Sequence, residues 1–173
     1  MFSNNAVTEQ QRVSVLRSYE ILDTPPDASF DDMVDVVRAV LRVPIAYISL
    51  VDSDRQWFKS RRGIDIQETS RESSICTHAL LSTEPLVIED TLDDERFRSN
   101  PYVAGPPGIR FYLGAPILAA HGAIVGTLCA LDTEPRRARQ TEVKLMRALA
   151  RQTDCLLELH RLRSTTGRLA NTA

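Results

Sequence analysis

The sequence predicts a single α+β domain in which helices pack on an antiparallel sheet. The length of 173 residues suits one domain with a sizeable hydrophobic core. Apolar residues recur at helical spacing near both ends of the chain. Between them, β-branched and aromatic runs are separated by short turns, which favours antiparallel pairing in an α+β or three-layer fold. The predicted order is ααββαβ, a long loop, and then ββα.

Two helices are predicted at the N-terminal end. Thr8 and Gln11 have the spacing of a capping box, so a first helix is expected over about residues 9–20. It ends near the two prolines at 25–26, because proline cannot continue a helix. Apolar residues at helical spacing predict a second helix over residues 30–42.

Strands are predicted wherever β-branched and aromatic residues cluster, in PIAYISLVD, QWFKS, LVIED, IRFYLGAPILA and AIVGTLCALD. The last two are joined through His121-Gly122, which indicates a hairpin. RESSICTHAL opens a short third helix, expected over residues 74–82. Residues 91–108 are rich in proline and glycine and are expected to form a loop, and loops of this length are often functional.

One long helix over residues 139–163 is expected to complete the chain. The predicted organisation is an N-terminal helix segment at 1–22, the main domain at 23–163 and a disordered tail at 164–173. The long helix carries apolar residues on more than one stripe, so one stripe would cover the sheet and a second would form a dimer seam. These residues include Leu145, Leu149, Leu156, Leu159 and Leu162.

Composition excludes several classes of protein. No apolar run approaches the roughly 20 residues needed to cross a bilayer, and MFSNNAVTEQQ has no signal-peptide pattern, so a cytoplasmic location is expected. Residues 1–134 hold 12 Lys/Arg against 20 Asp/Glu, a balance of −8, while residues 135–173 hold 9 against 3, a balance of +6. No aromatic residue interleaves those arginines, so a solvated helix face is favoured over nucleic-acid binding. With three cysteines, three histidines and no CxxC or CxxH pair, neither a disulfide framework nor a zinc site is expected.

Alternation along the strands predicts a small pocket. Successive side chains of a strand point to opposite faces, and each strand here has one aliphatic register and one mixed register. The aliphatic register suits a helix layer, whereas the mixed register suits a pocket floor with a few orienting polar groups. The alternative is that these polar groups satisfy their hydrogen bonds inside a packed core. The polar residues of the mixed registers are Tyr47, Ser49, Arg110, Tyr112, Thr127 and Cys129.

Cys76 and His78 invite an enzymatic interpretation that helix geometry does not favour. In a helix the two side chains lie about 200° apart around the axis, so a shared metal or a direct thiol–imidazole contact is not expected. Ser73 or Ser74 is a natural N-cap, which would place Cys76 in the first turn, where the helix dipole lowers a thiol pKa. The alternatives are a pocket-lining role for one of them or plain packing.

Five further residues have two interpretations each. One of the neighbouring rings Trp57 and Phe58 faces inward, where it belongs either to the core or to the pocket wall. Arg110 could neutralise an anionic ligand or pair with a loop carboxylate such as Asp90 or Asp94. Phe97 and Tyr102 could be lid residues or apolar pins that hold the loop down.

Five blocks in series resemble the GAF domain family, in particular the modules that precede bacterial diguanylate cyclases and histidine kinases. The blocks are PIAYISLVDSDRQWFKSRRG, ETSRESSICTHAL, LVIEDTLDDERFRSNPYV, GIRFYLGAPI and GTLCALDTEPR, within residues 20–160. The resemblance implies a GAF-like (PAS-like) antiparallel sheet of five to six strands. Terminal helices would cover one face and pair with a second protomer, while a short helix and loops would close a pocket on the other.

Departures from the family's known patterns narrow the ligand. The Asn-Lys-x-x-Phe-x-x-x-Asp-Glu signature of cyclic-nucleotide-binding members is absent from the sequence. Bilin-binding members carry a cysteine directly beside a histidine, whereas Thr77 separates Cys76 from His78. Some members reduce free methionine sulfoxide, and Cys76 could be aligned to one of their cysteines. However, Cys129 is in mid-strand and Cys155 in mid-helix, which leaves a resolving cysteine hard to place.

The sequence therefore predicts a small-molecule or redox input module of bacterial signalling rather than an enzyme, with no cofactor identified. The expected partners are an unidentified small molecule, a second copy through the terminal helices, and a separate or truncated cyclase or kinase output domain. Neither nucleic acid nor membrane is expected. The alternatives are a methionine sulfoxide reductase using Cys76 and a ligand-free dimerisation module. The candidate pocket residues are Tyr47, Ser49, Trp57, Cys76, His78, Phe97, Tyr102, Arg110, Tyr112, Thr127 and Cys129.

Overall fold

A computed structural model describes residues 7–170, with side chains described as far as 166. The helices are α1 Glu9–Ser18, α2 Ala28–Leu41, α3 Cys76–Ala79, α4 Pro101–Ala104 and α5 Gln140–Ala170. The strands are β1 Ile45–Val51, β2 Arg55–Arg62, β3 Glu68–Ser70, β4 Leu86–Ile88, β5 Phe111–Leu118 and β6 Ile124–Asp132. None of the helices described between residues 7 and 170 is both long enough and apolar enough to cross a membrane.

The six strands form one sheet in the order β3-β2-β1-β6-β5-β4, and every neighbouring pair is antiparallel. The central pair sets Tyr47 opposite Cys129 and Ser49 opposite Thr127. Cross-strand neighbours share a face of the sheet. These four polar side chains therefore point to the same side, and the predicted α+β architecture with an antiparallel sheet is confirmed.

Two hydrophobic cores cover the two faces of the sheet. On the helix side, α1, α2 and α5 pack on the aliphatic registers, which include Ile48, Leu113 and Leu128. On the opposite side, α3 and the loop of residues 91–108 cover the mixed registers. Because both faces are buried, alternate positions of one strand belong to different cores, as the two-register prediction requires.

Local signals set the ends of the N-terminal helices. The Thr8 side chain accepts a hydrogen bond from the backbone of Gln11, and the Gln11 side chain accepts one from the backbone of Thr8 at 2.8 Å, so the predicted capping box is confirmed. Asp27 caps α2 through the backbone of Ser29 at 2.9 Å. Arg42 ends α2 in the left-handed region, with a φ of 52°.

Two short elements were missed by the sequence prediction. The strand β3 has the polar sequence ETS and pairs with β2. Because it contains no apolar run, the sequence pattern did not predict it. The turn α4 lies inside the predicted loop, where Asn100 caps it through the backbone of Tyr102 at 2.9 Å. The helix α3 is shorter than the predicted span 74–82, because its backbone leaves the helical ladder after Ala79.

The C-terminal helix extends further than predicted. It was expected to end at 163 and give way to a disordered tail at 164–173, but α5 continues to Ala170, and residues 171–173 lie outside the described residues. In the added turn, Thr165 and Thr166 donate their hydroxyls to the carbonyls of Arg161 and Leu162, at 3.0 and 2.9 Å. These bonds satisfy the threonine hydroxyls locally, so the polar residues do not break the helix. Of the N-terminal segment predicted at 1–22, residues 1–6 also lie outside the described residues.

The close approach of β6 to β1 makes a stability prediction at Gly126. A Cβ built at this position would lie 2.0 Å from the backbone oxygen of Ser49, far inside van der Waals contact. Because a backbone atom at the sheet centre cannot swing away, Gly126→Ala should lower the free energy of unfolding by about 1–3 kcal/mol. Urea denaturation gives the measurement, with Leu81→Ala as the control, since Leu81 is 84% exposed. Equal stability of the two variants would contradict this close approach.

Candidate functional site

A buried polar cluster lies in the core on the side of the sheet opposite the terminal helices. Five of its members project from strands, and one comes from the first position of α3. Each is 6% exposed or less, so the cluster is shielded from bulk water. All six were predicted from sequence to lie at the pocket: Tyr47, Ser49, Cys76, Tyr112, Thr127 and Cys129.

The centre of this cluster is a pair of thiols. The Sγ atoms of Cys76 and Cys129 are 3.6 Å apart, although the residues are 53 positions apart in sequence. The hydroxyl of Tyr112 lies 3.3 Å from Cys76 Sγ and 3.4 Å from Cys129 Sγ, and the hydroxyl of Tyr47 lies 3.6 Å from Cys76 Sγ. Both thiols are free. Cys129, which the sequence left hard to place relative to Cys76, is therefore in contact with it.

Two hydroxyls extend the cluster along the central strands. Cys129 donates to Thr127 Oγ1 at 3.0 Å, and Thr127 Oγ1 lies 2.9 Å from Ser49 Oγ. The β1–β6 register places these groups in one line. Every hydroxyl and thiol of the line has a partner, as buried polar groups require.

The hydrogen-bond pattern makes the two thiols unequal. Burial acts to raise the pKa of Cys76, but hydrogen bonds from Cys129, Ser49, Thr127 and Tyr112 stabilise its thiolate and lower the pKa to about 6. Burial and the neighbouring Cys76 raise the pKa of Cys129 well above its ordinary value. Cys76 is consequently the thiol that ionises and could act as a nucleophile.

Above one end of the cluster lies a cavity of about 50 Å³, bounded by β1, β2, β3, the segment before α3 and the loop. Tyr47 belongs to both the cavity and the cluster, whereas neither thiol is among the lining residues that the structure describes. The lining residues are Ile45, Tyr47, Gln56, Phe58, Ile64, Ile66, Thr69, Ser73, Ser74, Ile75, Tyr102, Pro107, Ile109 and Leu131. The thiols therefore sit behind the wall of the cavity.

The loop of residues 91–108 is fixed by several contacts. Phe97 is 1% exposed and packs edge-on against the His78 ring, with 4.8 Å between centroids. Asn100 donates to the carbonyl of Ser73 at 2.8 Å, which ties the loop to the segment before α3. Of the two aromatic residues considered as lids, Phe97 is thus a buried pin and Tyr102 lines the cavity.

Besides Phe97, three predicted pocket residues lie outside both the described cavity lining and the polar cluster. Trp57 belongs to the helix-side core, because strand alternation turns its neighbour Phe58 toward the cavity instead. His78 packs against Phe97 and is not among the described lining residues, and burial lowers its pKa. Arg110 donates to the carbonyls of Val103 and Ile109, at 3.0 and 2.9 Å, so it braces the loop rather than facing a ligand.

Of the fourteen described lining residues, only Tyr47 and Tyr102 were among the predicted candidates, and the polar strand residues Gln56 and Thr69 are among those missed. Gln56 is two residues from Phe58 in β2, so strand alternation could have placed it at the cavity. Thr69 lies in β3, the polar strand that carried no sequence signal. In the part of the chain that the structure describes, no group of three or more His, Cys, Asp and Glu side chains could hold a metal ion.

A family model described as GAF domain matches residues 25–153 of this chain. A cyclic di-GMP phosphodiesterase of Pseudomonas aeruginosa is 37% identical over 158 residues, which cover 91% of this chain and 27% of that protein. This chain thus spans only about a quarter of the length of that relative.

Solved structures of low sequence identity share the fold. A free methionine-R-sulfoxide reductase from Neisseria meningitidis, in complex with its substrate, aligns with a TM-score of 0.66 at 17% identity, over 90% of this chain and 93% of that chain. The GAF domain of an Acinetobacter phosphoenolpyruvate-protein phosphotransferase aligns with a TM-score of 0.63 at 19% identity, over 85% and 92%. These likenesses support the fold. They do not identify a ligand, which has to be inferred from the chemistry of the site.

The inequality of the thiols predicts a titration near pH 6. In a Cys155→Ser background, which removes the exposed thiol, the ultraviolet absorbance of thiolate should rise with a midpoint near the pKa of Cys76, about 6. Adding Cys76→Ser should abolish this step. Because the pKa is lowered from its ordinary value of 9.0, the stability that this group contributes is present above pH 9 and is lost as the pH falls through about 6. A midpoint near 9 would contradict the proposed stabilisation of the thiolate.

Proposed function

Because this chain belongs to the GAF domain family, we propose that it is a sensory module of bacterial signalling that binds a small molecule in the cavity of about 50 Å³. The observation that carries the proposal is the position of this cavity, on the face of the sheet opposite the terminal helices. A ligand there contacts β1 from one side, while α2 contacts the same strand from the other. The proposal therefore assigns ligand binding and output to the two opposite faces of one sheet.

The sheet provides the link between the two faces. Tyr47 lines the cavity, and its neighbours Ala46 and Ile48 belong to the helix-side core. A displacement of β1 by ligand therefore moves residues that α2 contacts, and α2 in turn contacts α5. A ligand can shift this arrangement only by the difference between its affinities for the two states.

The terminal helices are joined where the signal would leave the domain. Tyr19 at the end of α1 donates to Glu158 of α5, and its hydroxyl accepts from the backbone of Ala120 at 2.9 Å. Of the predicted seam, Leu145, Leu149 and Leu156 pack against the helix-side core, whereas Leu159 and Leu162 are 41% and 54% exposed. The proposed homodimer interface is therefore narrower than the sequence suggested and lies in the distal half of α5.

The output of the module is proposed to be a separate or truncated enzyme domain in the cytoplasm. The relative from Pseudomonas aeruginosa is a cyclic di-GMP phosphodiesterase, and the matching segment accounts for 27% of it. This observation favours an output enzyme of cyclic di-GMP turnover over a kinase.

Native mass spectrometry of the freshly purified protein tests ligand binding and assembly together. The expected spectrum shows a dimer with excess mass that is lost on denaturation. Ile64→Trp, at a half-buried lining position, should reduce the excess mass by filling the cavity. Leu81→Trp is the matched control, because Leu81 is 84% exposed and outside the described lining. A bare dimer, unchanged by extracts of small molecules, would contradict the sensor and favour the dimerisation module.

The contact between two buried thiols supports a second candidate function, the reduction of free methionine sulfoxide. In that reaction the Cys76 thiolate attacks the sulfoxide sulfur and the sulfoxide oxygen takes up one proton from solvent. This oxygen is then transferred to the Cys76 sulfur as methionine leaves, which gives a sulfenic acid. The Cys129 thiol, 3.6 Å away, then forms a disulfide and releases water. A dithiol reductant restores both thiols. Against this candidate, the thiols lie behind the cavity wall, and a substrate would have to displace Tyr47 to reach them.

Turnover of free methionine sulfoxide with dithiothreitol as the reductant distinguishes the two functions. The sensor proposal predicts no turnover above that of the Cys76→Ser variant, because the substrate cannot reach the buried thiol. Activity that disappears in both Cys76→Ser and Cys129→Ser, but persists in Cys155→Ser, would instead establish the reductase.

A further inference from the structure

We infer that the cavity selects a small uncharged molecule that has an apolar body and one hydrogen-bonding group held by Thr69. This inference rests on the proposed sensory function and specifies its ligand class. It depends on three properties of the lining: its apolar character, its lack of charge and one unpaired buried hydroxyl.

Most of the lining is apolar. Aliphatic and aromatic side chains come from both sides of the cavity, so an enclosed ligand would exchange water for hydrocarbon over most of its surface. These residues are Ile45, Phe58, Ile64, Ile66, Ile75, Pro107, Ile109 and Leu131.

Charge is missing from the described lining, which contains no Asp, Glu, Lys or Arg. Arg61 pairs with Tyr47 across β1 and β2 and so shares its face of the sheet. However, it lies outside the described lining. Its Nη1 and Nη2 donate to Gln67 Oε1 and to the carbonyl of Asp65, at 3.3 and 3.4 Å, while its Nε is buried without a partner among the described residues. An ionic ligand would lose its hydration without gaining a counter-charge, which is strongly unfavourable. Phosphates, carboxylates and zwitterionic amino acids are therefore disfavoured.

Thr69 supplies the polar contact. It is 9% exposed, and its Oγ1 is buried without a hydrogen-bond partner among the described residues. Four other polar side chains of the lining already have partners, and one of them is Tyr47, whose hydroxyl lies 3.6 Å from Cys76 Sγ. Ser74 donates to Gln56, and Ser73 Oγ lies 2.8 Å from Ser70 Oγ. An unpaired buried hydroxyl is costly, and a ligand group that pairs with it removes that cost.

The size of the cavity limits the apolar body. About 50 Å³ exceeds the space that one water needs, and it is below the roughly 150 Å³ that accommodates benzene in an engineered cavity. It is also far below the roughly 300–1,000 Å³ of pockets for drug-sized ligands. A ligand of a few carbon atoms fits the enclosed part, and any larger portion would extend outward past Ile66, which is 41% exposed.

Three probes of similar size and different charge test this inference: 1-butanol, butyrate and butylammonium. Each is titrated into the full chain and followed by amide chemical shifts in two-dimensional NMR. We expect 1-butanol to shift the amides of the lining residues saturably, and each ion to bind at least about tenfold more weakly. Thr69→Val replaces the hydroxyl with a methyl group of similar size and should weaken 1-butanol binding by about 3- to 10-fold. Thr69→Ser keeps the hydroxyl and should retain the affinity within about threefold.

The outcomes separate the ligand class from the proposed function. Equal binding of butyrate at the same amides would overturn the uncharged class and implicate Arg61, while the cavity would remain a binding site. An unchanged affinity in Thr69→Val would overturn the role of Thr69. If none of the three probes shifts the lining amides, the inference fails, and the native mass spectrum then decides independently whether the sensory function fails with it.

Discussion

The pairing of β1 with β6 is the constraint on which the rest of this molecule depends. This central register sets Tyr47 against Cys129 and Ser49 against Thr127, and so gathers the polar cluster on one face. A slip by one residue would send these groups into the helix-side core and bring aliphatic residues to the cavity. Because both faces of the sheet are covered, such a slip would bury polar groups without partners in the helix-side core. The register therefore determines which residues belong to each of the two cores.

The polar cluster and the cavity have different physical characters. In the cluster, thiols and hydroxyls pair with one another, and their mutual satisfaction holds α3 against the central strands. In the cavity, apolar surface dominates and one hydroxyl remains unpaired. The polar cluster is typical of a core with one defined packing, whereas the cavity is typical of a ligand-binding site. Tyr47 is common to both, so a ligand and the thiol pair would influence each other through its ring.

Sequence alone could place the residues of long strands, but not those whose position depends on distant packing. The period of two in β1, β5 and β6 put Tyr47, Tyr112 and Cys129 on one face correctly, since any covered strand must follow it. The same rule gave no choice between Trp57 and Phe58, because each face of β2 carries one aromatic residue among polar ones. The contact of Cys76 with Cys129 depends on how a four-residue helix packs across 53 positions of chain, and the cavity volume depends on every side chain around it. Neither quantity has a local signal.

The brevity of the outer strands has a consequence for how copies of this protein meet. The sheet ends in β3 on one side and β4 on the other, each of three residues, and β3 presents Glu68 and Ser70 to solvent. Glu68 is further held by an ion pair with Arg55 at 2.6 Å. Both edges are short and the β3 edge is also polar, which makes them poor templates for strand addition and disfavours amyloid-like growth and domain swapping. Self-association would then depend on contacts between side chains, which single substitutions can strengthen or weaken. It would not depend on main-chain hydrogen bonds between edge strands, which form with little dependence on sequence.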